Sequence, residues 1–64
     1  MPSVQVFLWP GRSASVKKEI IKGITNVFEE QDIPAQAVEV LIQEIPKENW
    51  GIGGIPATEK FPGV

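Results

Sequence analysis

Ser3 to Trp9 and Val38 to Ile45 read as β-strands that are apolar on both faces, yet the chain has only one long helix to cover them. That imbalance constrains the fold more than any motif does. In the first strand Val4, Val6 and Leu8 share one face, while Gln5, Phe7 and Trp9 form a second that is also largely apolar. In the second strand Val38, Val40 and Ile42 oppose Leu41 and Ile45. Pro10-Gly11 stops the first strand, and Ser13 then caps a helix on which Val16, Ile20, Ile21, Ile24, Val27 and Phe28 recur at helical spacing. Lys17, Lys18, Lys22 and Glu29 fall on its wet side. It ends near Gln31 or Asp32, because Pro34 disfavours helical geometry in the residue before it. Strand, helix and strand make a βαβ unit, whose right-handed crossover leaves the strands parallel. The tail from Trp50, with Gly51, Gly53, Gly54, Pro56, Pro62 and Gly63, suits a short hairpin or an extended arm that could pack on a neighbouring subunit. The expected fold is α+β, one domain over residues 1–64, a single βαβ unit with a short C-terminal hairpin, completed by oligomerisation.

Composition supports the need for other subunits. A chain of 64 residues hides only about 60 % of the surface its unfolded form exposes. With no Cys and no His there is no disulfide and none of the usual zinc sets, so no metal is expected and stability must come from packing or partners. Six basic against eight acidic residues give no positive stripe for a phosphate backbone, which argues against nucleic acid. No apolar run approaches the roughly 20 residues needed to cross a bilayer, and the start lacks a secretion pattern, so no membrane partner and a cytoplasmic location are expected. Gly51-Ile52-Gly53-Gly54 is not followed by a helix, as a dinucleotide site would require; it reads as a tight turn and no cofactor is expected.

The chain also has no Tyr, so an α-amino group is the only unperturbed group that would titrate near neutrality. Pro2 would supply it as a secondary amine once Met1 is removed, and its small side chain is of the kind that permits that removal. Arg12 is the only arginine and stands at the start of the helix. Backbone N–H groups there, with a planar guanidinium, make a seat for a carboxylate. A solvated arginine in an ordinary turn, or one paired with an acidic residue of another subunit, fits the same position. Trp9 and Trp50 could wall a pocket or be plain core. Glu39 and Glu44 lie on opposite faces of their strand and cannot pair within one chain, which leaves them solvated or bridging subunits.

Pro2, then Gly11-Arg12-Ser13, then Glu44-Ile45-Pro46-Lys47-Glu48-Asn49-Trp50-Gly51-Ile52-Gly53-Gly54 resemble, in type and order, the 4-oxalocrotonate tautomerase family over nearly the whole chain. The resemblance implies a βαβ protomer with a terminal hairpin, two protomers sharing a four-stranded sheet, and usually three such dimers in a homohexamer. It implies an isomerase acting on a small-molecule carboxylate, in which Pro2 moves a proton between carbons of an unsaturated 2-oxo acid through a dienol. Arg12 would hold a substrate carboxylate and draw electron density towards it, and Trp50 would keep the pocket apolar. Burial beside Trp50 and the positive charge of Arg12 would both lower the pKa of the amine towards neutrality. Glu39 stands where the family has a second substrate-binding arginine, usually from a neighbouring subunit. A glutamate there leaves open a monoacid substrate or a shift towards water addition. The alternatives are a ligand-binding or structural oligomer without turnover, and a hydratase or dehalogenase relative.

Overall fold

The computed structural model describes residues 1–63. Strand β1 (Ser3–Leu8) leads into helix α1 (Ala14–Glu29), and the chain returns as β2 (Glu39–Glu44), parallel to β1. The register runs from Ser3 opposite Glu39 to Leu8 opposite Glu44. The ladder extends one bond beyond each end: the Glu39 N–H donates to the Pro2 carbonyl at 2.9 Å and the Ile45 N–H to the Leu8 carbonyl at 2.8 Å. Trp9 has left the strand by then, so β1 is one residue shorter than its apolar run.

Helix α1 starts as its sequence requires, with the Ser13 hydroxyl accepting from the Val16 N–H at 3.2 Å. It closes before Pro34 in a tight turn. The Asp32 N–H reaches the Glu29 carbonyl at 3.0 Å and the Ile33 N–H the Phe28 carbonyl at 3.2 Å. Asp32 sits at φ 63°, the left-handed position usually given to glycine, which a short polar side chain tolerates. Ile20, Ile24 and Phe28 are half-buried on the sheet side, whereas Val16, Ile21 and Val27, expected in the core, are 41, 41 and 58 % exposed. Lys17 is not on the wet side: its Nζ pairs with Glu44 at 3.0 Å and ties the start of the helix to the end of β2. Glu44 is thereby held within its own chain.

After a 3-10 turn at Lys47–Asn49, β3 (Gly51–Ile52) and β4 (Ile55–Pro56) form the hairpin. Gly53 and Gly54, at φ 62° and 84°, are its two turn residues, both in the conformation that matches strand twist. A single-turn helix α2 (Ala57–Lys60) follows, too short for any periodicity to announce it.

Val4, Val6, Leu8, Val40 and Ile42 are half-buried on the helix side of the sheet, while Ser3, Gln5, Phe7, Glu39, Leu41 and Gln43 are exposed on the other. Among the described residues only Ala57 is fully buried. The radius of gyration is 14.6 Å and the extents are 42 × 24 × 14 Å, where a compact chain of this length would have a radius near 11 Å. The protomer is a thin two-layer plate with one bare sheet face.

Candidate active site

Pro2 precedes β1 and is half-buried, with its carbonyl held by Glu39. Its nitrogen is an amide while Met1 is attached. Met1 itself is 85 % exposed.

Arg12 lies beyond the opposite end of the same strand. Six residues of extended chain put roughly 20 Å between Pro2 and Leu8. After the strand, Gly11 at φ 119° redirects the backbone, and Arg12 enters a cavity of about 250 Å³ lined with Trp9, Pro10 and Gly11. It makes no ion pair among the described residues.

The two tryptophans meet at this end. Their rings are edge to face with centroids 5.7 Å apart, and Phe61 packs on Trp9 at 5.7 Å. Lys47 places its Nζ 5.1 Å from the Trp9 ring centroid and donates to the Phe61 carbonyl. The C-terminal tail is thus fastened to its own protomer. The Trp9 indole N–H is buried without an acceptor among the described residues. On the bare sheet face beside this cluster, Phe7, Ile45, Asn49, Trp50 and Gly51 line a second shallow cavity of about 240 Å³. Trp50, half-buried, both packs against Trp9 and lines this cavity. Phe7, Asn49, Phe61 and Lys47 carried no sequence signal for this site, because they meet only through the return of β2 and the hairpin.

One protomer therefore divides the expected site residues between its ends, Arg12 and Trp50 at one, Pro2 and Glu39 at the other. Among the described residues no group of three or more acidic, His or Cys side chains is placed to hold a metal, and no helix is long and apolar enough to cross a membrane.

Comparison with known proteins agrees with this architecture. The family described as "Tautomerase enzyme" matches residues 2–60. A 2-hydroxymuconate tautomerase of Pseudomonas putida is 42 % identical over 60 residues, covering 92 % of this chain and 95 % of that one. Among solved structures, a 4-oxalocrotonate tautomerase isozyme from Methylibium petroleiphilum superimposes with a TM-score of 0.84 at 39 % identity, covering 98 % of this chain and all of the other. A heterohexamer 4-oxalocrotonate tautomerase from Chloroflexus aurantiacus J-10-fl gives a TM-score of 0.84 at 30 % identity, over 92 % of this chain and 97 % of that one.

Proposed function

We propose that this chain, which belongs to the tautomerase family and is a keto–enol isomerase, works through the amine of Pro2 after Met1 is removed. The nitrogen lone pair takes a proton from a carbon of a small unsaturated 2-oxo acid, or from the hydroxyl of its enol, leaving a dienolate and an ammonium. The ammonium then delivers the proton to a different carbon of the dienolate, and the amine ends as it began. Arg12 binds the substrate carboxylate and stabilises the charge that develops towards it. Trp50 supplies an apolar wall that keeps water from competing for the proton. Glu39, beside Pro2, completes the set.

The observation that carries this reading is the separation of Pro2 from Arg12 along an edge strand. The sheet contains only β1 and β2, so one edge of β1 is unpaired in the protomer. Antiparallel pairing of two β1 edges about a two-fold axis builds a four-stranded sheet and brings Pro2 of one copy to the Leu8–Arg12 end of the other. The reading is therefore of a homo-oligomer, with sites assembled between copies. The bare sheet face, where Phe7 and Leu41 are 46 and 45 % exposed, would be covered by further copies, and the hexameric Chloroflexus relative supports three such dimers.

The test is turnover of processed protein on a panel of enol and dienol acids, with mass spectrometry confirming loss of Met1 and Pro2→Ala as control. Retention of Met1 in all natively produced protein, or a Pro2→Ala variant as active as its parent, would sink the reading.

A further inference from the structure

Glu39 is held beside the nitrogen that is proposed to do the chemistry. Its N–H donates to the Pro2 carbonyl at 2.9 Å, and its Cα is registered opposite Ser3. Neighbouring strands lie only about 5 Å apart, so the carboxylate of Glu39 starts one ladder rung from Pro2. Its side chain is exposed on the bare face and makes no ion pair or hydrogen bond among the described residues. The chain's only guanidinium, Arg12, stands past the far end of β1. Pairing of β1 edges would bring a partner's Arg12 to this region, and that arginine is already assigned to one substrate carboxylate. Each copy contributes one Arg12 and one Pro2, so a symmetric assembly supplies one guanidinium per site.

We infer that Glu39 makes the site selective for substrates with a single carboxylate, an enol or 2-oxo acid whose far end is uncharged, over dicarboxylates. This rests on the Pro2 and Arg12 reading. A substrate anchored through one carboxylate on a partner's Arg12, with its reacting carbons at Pro2, would extend past Glu39 or along the apolar surface of a partner's Phe7 and Trp50. A second carboxylate would meet like charge on the first path and lose its hydration on the second. An uncharged end is accepted on both. Salt would soften the first penalty, since Glu39 is exposed.

The experiment compares processed protein on 2-hydroxymuconate, which carries two carboxylates, with the analogue in which hydrogen replaces the distal carboxylate. The parent should turn over the monoacid with a kcat/KM at least tenfold higher. Glu39→Gln, which keeps the size and the backbone bond, should narrow that ratio, and Glu39→Arg should reverse it. A parent that prefers the diacid, a ratio that neither substitution moves, or Glu39-dependent entry of solvent oxygen into the product would each overturn the inference. If Pro2→Ala instead leaves turnover of both compounds intact, it is the underlying reading that fails; if Pro2→Ala abolishes turnover and the ratio ignores Glu39, only this inference does.

Discussion

Two charges of opposite sign act on Pro2 in the proposed site, and their effects can be separated at single residues. In that proposed site, burial near a partner's Trp50 and Arg12 would disfavour the protonated amine, whereas Glu39 would favour it. In processed protein one amine should titrate below an ordinary terminus, and kcat/KM should rise with pH as that amine loses its proton. Arg12→Ala removes the positive neighbour, so that limb should move to higher pH while KM rises about tenfold to a hundredfold, the range for losing a charged hydrogen-bond partner. NMR titration and pH–rate profiles of parent and variant measure both, and unchanged profiles would take Arg12 out of the site. Arg12 and Pro2 were legible as chemical candidates because a chain with no His, Cys, Tyr or second arginine offers few groups capable of acid–base or anion chemistry, whereas Trp50 was singled out only by the family resemblance. Lys47 was not, because its partners Trp9 and Phe61 are distant in sequence.

At the scale of elements, local chemistry set most boundaries. Ser13 starts α1 and Gly53 and Gly54 turn the hairpin, whereas strands apolar on both faces left open which face the helix covers. The exception is the end of α1, where Asp32 takes a left-handed conformation that costs an L-residue about 1 kcal/mol. Asp32→Gly should therefore stabilise the protein by at most about 0.5 kcal/mol, the roughly 1 kcal/mol of relieved strain less glycine's larger loss of chain entropy of about 0.5–1 kcal/mol. Urea denaturation would detect it, and a lower midpoint at unchanged slope would refute the strain argument. Proline at position 34 told where the helix must stop; only the paired bonds from Asp32 and Ile33 showed how its last carbonyls are satisfied. Trp9 looked like strand because it continues the apolar run, but its ring is claimed by Trp50 and Phe61, a contact no local preference encodes.

At the scale of the molecule, a plate 14 Å thick whose only fully buried described residue is Ala57 leaves apolar surface that the proposed oligomer would cover. If sites form between copies, an equal mixture of Pro2→Ala and Arg12→Ala proteins, each weakly active alone when assayed well below KM, should regain about a quarter of parental activity when unfolded and reassembled together, because symmetric pairing places an intact Pro2 opposite an intact Arg12 in that share of sites. Mixed protein no more active than its components would rule out the shared site. The amino-acid order by itself determined the βαβ plan, the parallel pairing, the hairpin and the excess of apolar surface, because periodicity, caps and turns act over a few residues. Only the tertiary structure decided that Glu39, opposite Ser3, is bonded to the Pro2 carbonyl while Arg12 and Trp50 gather at the opposite end. That placement depends on the register of two strands joined across a helix, a long-range pairing that local preferences leave undetermined.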